Sequence, residues 1–240
     1  MISIITGSYN RLNNIKRLIS NTVLANNLLE LVIVDGGSTD GTVEYIKNLN
    51  NKNVKFIDYG KRSSYPHFSN LAIQNSKFDY ICQWDDDALL INEWDEVIEL
   101  LDNNVFDFHI FNWKLGNLHD RLDENWLKGN TKENNWNLED KTKEQSETEI
   151  LTMNYGIYNK KVFKEIGMYN TRFYFWYADG DLSNRAFHFG YKHKSHSNIK
   201  VFVFDSEKNT TYTKKDWKIY QKNLVKYRKQ KFPKGTVFLK

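Results

Sequence analysis

Two rhythms of apolar residues alternate through the first half of the chain. Short runs rich in β-branched and aromatic residues, Ile2-Ser3-Ile4-Ile5, Leu31-Val32-Ile33-Val34, Val54-Lys55-Phe56-Ile57 and Tyr80-Ile81-Cys82, read as strands. The unbroken Leu31–Val34 run suits a strand buried on both faces. Between the runs, apolar residues recur every three or four positions. Ile15, Leu18, Ile19 and Val23 form one such face, Val43, Ile46 and Leu49 a second, and Phe68, Leu71 and Ala72 a third, with Pro66 opening the helix. Trp94, Val97, Ile98 and Leu101 form a fourth, with Asn92 as the expected cap. Strand and helix in alternation predict an α/β fold, its mostly parallel sheet wound by right-handed crossovers and flanked by helices. Such sheets take ligands at the carboxyl ends of their strands. Tyr9, Asp35 and Asp87 all follow strands and should share that edge.

The pattern changes after residue 105. Phe106 to Trp113 is aromatic-rich and strand-like, whereas Asn117 to Glu149 is polar, with Trp126 and Trp136 as its main apolar anchors. That composition reads as a loop or flap over a site. Met153 to Tyr158 is expected to be a strand, and Lys161 to Ile166 a short helix ended by Gly167. The chain therefore divides into residues 1–113, a smaller mixed half over 114–207 containing a loop at about 117–149, and a basic helical tail over 208–240, all within one domain.

Charge is distributed unevenly beneath a net +4. Asp79 to Asp107 holds ten acidic residues and no Lys or Arg, whereas Lys208 to Lys240 holds eleven basic residues and one acid, Asp216. Trp217, Tyr220, Leu224 and Tyr227 recur in the tail at helical intervals, which predicts an inward face and a structural role. The competing role is contact with a nucleic acid or an anionic membrane surface. Cys82 is the only cysteine, so the chain cannot form an internal disulfide, and its apolar surroundings predict a buried thiol. No apolar run is long enough to span a bilayer, and no signal peptide is apparent. A cytoplasmic location is expected, with attachment to a membrane surface left open.

Chemistry concentrates in two places. Asp85-Asp86-Asp87 directly follows the Tyr80–Cys82 run. Adjacent carboxylates repel, so the cluster implies either a solvated turn or a bound cation, and hard oxygen ligands suit Mg²⁺ or Mn²⁺. Further on, five aromatic residues, Phe173 to Tyr177, precede Asp179 and Asp181, and Arg185 follows. A carboxylate beside an aromatic wall can serve as a general base. The alternative is an acidic helix start after a core strand, with Asp181 capping and pairing with Arg185.

Four motifs in order, Ser3-Ile4-Ile5-Thr6-Gly7-Ser8-Tyr9-Asn10-Arg11, Val34-Asp35-Gly36-Gly37-Ser38-Thr39-Asp40-Gly41-Thr42, the acidic triplet and Ala178-Asp179-Gly180-Asp181-Leu182-Ser183-Asn184-Arg185, resemble the family 2 glycosyltransferases with the Rossmann-like GT-A fold. The likeness covers roughly residues 1 to 192. It implies a sugar transferred from a nucleotide-diphosphate donor, a UDP-sugar first, to a hydroxyl on a glycan, glycolipid or protein, with inversion and with Mn²⁺ or Mg²⁺. A nucleic acid is the less expected acceptor. By the same resemblance Tyr9 stacks near the base, Asp35 lies by the base or ribose, and Asp86 lies near the ribose or sugar. Asp85 and Asp87 are the outer members of the Asp-x-Asp motif, and Asp87 is the best metal ligand. Asp179 is the catalytic base, with Asp181 as the alternative. Lys61 or Arg62 would add positive charge near the diphosphate. Ala178 stands where the family usually has Glu, and Gly36 where a second Asp often contacts the base. A further metal ligand is sought among Asp205, His193 and His196. Two other readings stay open, a sugar-phosphate nucleotidyltransferase and a non-catalytic nucleotide-sugar or glycan-binding module. The single glycine in Thr6–Arg11 counts against the nucleotidyltransferase.

Overall fold

The computed structural model describes residues 1–102, 106–116, 153–204 and 214–228. Its centre is an eight-stranded sheet comprising β1 (Ile2–Ser8), β2 (Leu29–Asp35), β3 (Val54–Asp58), β4 (Tyr80–Gln83), β5 (Ala88–Leu90), β6 (Phe108–Gly116), β7 (Gly156–Asn159) and β8 (His193–Phe204). The spatial order is β3-β2-β1-β4-β7-β6-β8-β5. β3, β2, β1 and β4 run parallel, as the strand–helix alternation predicts. The sheet as a whole is mixed, because β7 is antiparallel to both β4 and β6, β6 and β8 are parallel, and β5 is antiparallel to β8.

Seven α-helices occur among the described residues: α1 (Leu12–Asn21), α2 (Thr42–Asn48), α3 (Tyr65–Asn75), α4 (Trp94–Glu99), α5 (Phe163–Ile166), α6 (Ala178–His188) and α7 (Lys214–Arg228). They cover both faces of the sheet. Successive strand residues point to opposite sides, so each strand feeds two cores. Ile4, Leu31, Ile33 and Cys82 pack with Ile15, Leu18, Ile19, Ile46 and Val97. Ile5, Val32, Val34 and Ile81 pack instead with Phe68, Ala72, Ile73, Leu182 and Ala186. Burial on both faces is why the runs are continuous rather than alternating. Cys82 is buried, and burial raises its thiol pKa well above the ordinary value.

Several local expectations are corrected. Glu93, not Asn92, caps α4, in a reciprocal box with Glu96, while the Asn92 side chain accepts the Lys200 N–H across to β8. Residues 153–155 precede β7 rather than belonging to it. Phe173–Tyr177 is a series of turns, not a core strand, and α6 begins from Tyr177 in the left-handed region (φ 67°) without a side-chain cap. The tail helix α7 packs on α6 through Tyr220 and Asn223 and on the loop before α6 through Asp216, whereas Trp217 is exposed. Val201–Phe204 is the end of the long strand β8. Among the described residues no helix is long and apolar enough to cross a membrane.

Candidate active site

The carboxyl ends of β1, β2 and β4 lie side by side, since Ser8 pairs with Asp35 and Ile5 with Gln83. Two loops at this edge are laced together. The buried Asp35 carboxylate accepts the N–H groups of Gly37 (2.9 Å) and Ser38 (2.7 Å) and the Ser38 hydroxyl (2.6 Å). Asn10 donates its N–H to Ser38 Oγ (2.8 Å), and its side-chain oxygen accepts the Thr39 N–H (2.8 Å). Asp35 therefore shapes the loop with both of its oxygens. Gly37 needs its left-handed φ of 86°, and a Cβ there would meet the Gly60 carbonyl at 2.8 Å. At Gly36 a Cβ would sit 3.3 Å from the Phe68 ring and 3.4 Å from Arg62 Cα, a tight fit that a shift of a few tenths of an ångström would relieve. The exposed Arg62 guanidinium lies 5.4 Å from the Tyr9 ring centroid, bringing those two sequence candidates together. Lys61 lies over Tyr59.

The acidic triplet leaves β4 and splits in direction. Asp85 accepts a hydrogen bond from the Tyr155 hydroxyl (2.8 Å). Asp86 turns toward β1 and α1, accepting from Ser8 Oγ (3.1 Å) and lying near Arg11 and Asn14. Asp87 is half-buried, and its carbonyl accepts the Phe204 N–H (2.9 Å). Burial, followed by the charge of Asp87, pushes both Asp85 and Asp86 well above the usual carboxylate range. The Tyr155 hydroxyl bond pulls Asp85 part of the way back.

Asp179 stands in the first turn of α6, half-buried. Its Oδ1 accepts the Gly180 N–H (2.8 Å) and its Oδ2 accepts from the Asn154 side chain (2.8 Å). Burial pushes its pKa up to about 6, against the opposing pull of the backbone N–H bonds. Asn154 and Tyr155 are consecutive, so one short segment holds Asp179 with one side chain and Asp85 with the next. Gln83 secures that segment by donating to the Met153 and Asn154 carbonyls (3.3 and 2.7 Å). The two carboxylates are close enough for Asp179 to raise the pKa of Asp85, and both raise that of the Tyr65 hydroxyl. The structure thus brings Asp85 and Asp179 together from residues 94 positions apart.

Asp181 has a different role. It is fully buried, pairs with Arg185 (3.1 Å) and accepts from Asn223 of α7 (2.8 Å). Arg185 also donates to the carbonyls of Ile166, Gly167 and Met168. This is a structural clamp joining α5, α6 and α7.

His193 and His196 are not brought to the acidic triplet. Phe204 reaches Asp87 and pairs with Gly116, but His196 pairs with Phe111, roughly 16 Å away along β6, and His193 pairs with Phe108, farther still. His196 instead meets His109 at 3.0 Å, and burial lowers the pKa of His109, His193 and His196 to about 4. Asp205, Trp126, Trp136 and the 117–149 loop lie outside the described residues.

Among the described residues no three His, Cys, Asp or Glu side chains converge to enclose a metal ion by themselves. The donor chemistry still fits a hard divalent cation. Asp85 and Asp87 offer carboxylate oxygens whose mutual repulsion such a cation relieves, with positions left for substrate phosphates. Sequence reasoning missed Asn154, Tyr155 and Tyr65 as parts of the site. No local pattern marks them, because their roles arise only from where β7 and α3 dock.

The profile of Glycosyl transferase family 2 matches residues 3–167. S. aureus TarS superposes with a TM-score of 0.67 at 16% identity, over 94% of this chain and 39% of that one. TarS 1-349 in complex with UDP-GlcNAc gives 0.68 at 16% identity, over 93% of this chain and 65% of that one. Mannosyltransferase PcManGT from Pyrobaculum calidifontis, in complex with GDP-Man and Mn²⁺, gives 0.62 at 15% identity, over 96% and 63%. The chain therefore spans about two fifths of the longer TarS chain. At these identities the structural likeness concerns the GT-A fold. No curated protein sequence matches the chain.

Proposed function

The chain belongs to glycosyl transferase family 2, and from that premise we propose that it transfers a sugar from a nucleotide-diphosphate donor to an acceptor hydroxyl, with inversion and with a divalent cation. The observation that carries this reading is the meeting of Asp85, after β4, with Asp179, at the start of α6. On this reading one carboxylate would serve the donor side and the other the acceptor.

Residues 1–113 would bind the donor. Tyr9 and Arg62 offer a ring face and a positive charge at the edge where the base and diphosphate would lie. The Asp35-braced loop would border the base or ribose, with Asp86 toward the ribose or sugar. A UDP-sugar is the first donor to test, because known structures of this fold hold UDP-GlcNAc or GDP-Man. Asp85 and Asp87 would hold Mn²⁺ or Mg²⁺, whose bound charge makes the nucleoside diphosphate a better leaving group. Asp179, with a pKa of about 6, is ionised at neutral pH yet basic enough to take the acceptor proton. Asn154 and the Gly180 N–H hold its carboxylate in place. A base that serves a single direct displacement matches inversion. The acceptor side would be built by residues after 114, on a glycan, glycolipid or protein.

The test is a thermal-shift panel of UDP, GDP, ADP and CDP with and without Mn²⁺ or Mg²⁺, followed by hydrolysis of the matching nucleotide sugar. A ligand at a hundredfold its dissociation constant should stabilise by about 2.7 kcal/mol. Asp87→Asn should weaken nucleotide binding only when the cation is present. Equal affinity of wild type and variant with cation would remove the metal, and no stabilisation by any nucleotide would remove the transferase reading.

A further inference from the structure

An exposed aromatic patch borders Asp179, and neither the donor chemistry nor the core accounts for it. Tyr174, Phe175, Trp176 and Trp217 are 37%, 43%, 37% and 42% exposed. The other exposed large apolar residues among those described are Met1, Tyr9, Leu24, Leu28 and Val225. No other group among them gathers aromatic rings in this way. A soluble surface ordinarily hides such rings, and a concentrated apolar patch marks a binding surface.

The patch is held outward by the fold. Asp216, 1% exposed, directs its carboxylate at the backbone N–H groups of Tyr174 and Phe175 (3.2 Å each). The Tyr65 N–H donates to the Tyr174 carbonyl (2.9 Å). Tyr177 stacks on Tyr220 (5.1 Å between centroids) and touches Trp217 (5.3 Å), linking the loop to α7. A buried carboxylate bound to two loop N–H groups fixes the backbone that presents these rings, so little ordering remains when a ligand arrives.

Its position is equally informative. Phe175 packs against Tyr65 (5.8 Å), the ring whose hydroxyl feels the charges of both Asp85 and Asp179. Trp176 and Phe175 pack edge to face (5.9 Å) three and four residues before Asp179. The patch is therefore continuous with the mouth of the site, on the side of the base.

We propose that Phe175, Trp176 and Trp217 form a stacking platform for the ring faces of a saccharide acceptor, delivering one of its hydroxyls to Asp179. This deepens the transferase reading and rests on it. The chemistry favours a saccharide over a lipid surface. Tyr174–Tyr177 and Trp217 supply flat rings, all but Phe175 carrying a polar O–H or N–H, and no aliphatic side chain, whereas membrane-seating faces commonly mix aromatic with aliphatic residues. A pyranose offers the complementary shape, a flat C–H face for the rings and equatorial hydroxyls for the carboxylate and amide beside them. Large rigid rings with a polar tip supply contact area at low entropic cost.

Saturation-transfer NMR on the full chain tests this, with the methyl glycosides of glucose, galactose, mannose and N-acetylglucosamine as probes. Stabilisation by UDP, GDP, ADP and CDP, each with Mn²⁺, is read separately on the same samples. Wild type should transfer saturation to the ring protons of at least one glycoside. Trp176→Ala and Trp217→Ala should each cut that transfer at least threefold while keeping their fold and nucleotide response, and Trp→Phe at either position should restore it. No transfer to any glycoside in wild type, or unchanged transfer in both alanine variants, overturns the platform. Binding to phosphatidylcholine vesicles that both alanine variants lose, without saccharide transfer in wild type, would instead assign the patch to a membrane surface. Saccharide transfer without any nucleotide response would sink the transferase reading alone and leave the platform standing.

Discussion

Replacing Asp179 by asparagine should separate the cost of a catalytic carboxylate from its use. In the folded chain burial raises this group from 3.8 to about 6. Two units correspond to about 3 kcal/mol at most, and partial exposure reduces this to about 1–2 kcal/mol. The sign follows from linkage. A folded pKa above the unfolded one gives stability that is complete below the unfolded value and is lost as pH rises through the folded value. Wild type therefore loses this contribution between about pH 4 and pH 6, whereas the Asp179→Asn variant, with no proton to lose at this position, does not. Asparagine keeps one acceptor for Gly180 or Asn154 and loses the other, a pH-independent cost of about 1 kcal/mol. The readout is thus the slope: relative to wild type, urea unfolding of Asp179→Asn should gain about 1–2 kcal/mol between pH 4 and pH 8. Turnover should fall a hundredfold or more with donor affinity nearly unchanged, and the wild-type rate should fall as pH drops through about 6. A stability difference that is the same at pH 4 and pH 8 would refute the buried-charge argument. Near-normal transfer by the variant would move the base elsewhere.

Asp181→Ala should cost about 3–5 kcal/mol in urea unfolding, because it strands the buried Arg185 and releases Asn223; a cost below 1 kcal/mol would show that the three carbonyls around Arg185 suffice. Gly7→Ala should destabilise by about 1–3 kcal/mol, since the new methyl would lie 2.7 Å from the Phe68 ring; an unchanged melting temperature would mean that the ring yields.

The parallel half of the fold was legible along the chain because its signals are local. Leu31–Val34 is apolar without interruption, and burial of Leu31 and Ile33 on one face and Val32 and Val34 on the other is the reason. The Asp35–Thr42 turn shows itself through glycines that its geometry requires. The places of Asp85–Asp87 and Asp179 after a strand and at a helix start were readable as motifs. Periodicity could not show that β7 enters antiparallel beside β4, because a four-residue strand carries too few positions to declare its direction. That insertion carries Asn154 and Tyr155 to the two carboxylates, so the coupling of Asp85 and Asp179 is a tertiary fact. The roles of Asp179 and Asp181 were likewise divided only by packing. Two residues apart on a helix, they point in different directions, and the docking of α7 decides which one is clamped by Arg185 and Asn223. Helical spacing placed Trp217 inward with Tyr220, but α7 seats on Asp216, Tyr220 and Asn223 and leaves Trp217 in solvent. Sequence alone determined the elements, their order in the parallel half and the residue types available for chemistry. Which side chains meet, and so which carboxylate can act as a base, was decided by contacts between residues tens of positions apart, which no local pattern encodes.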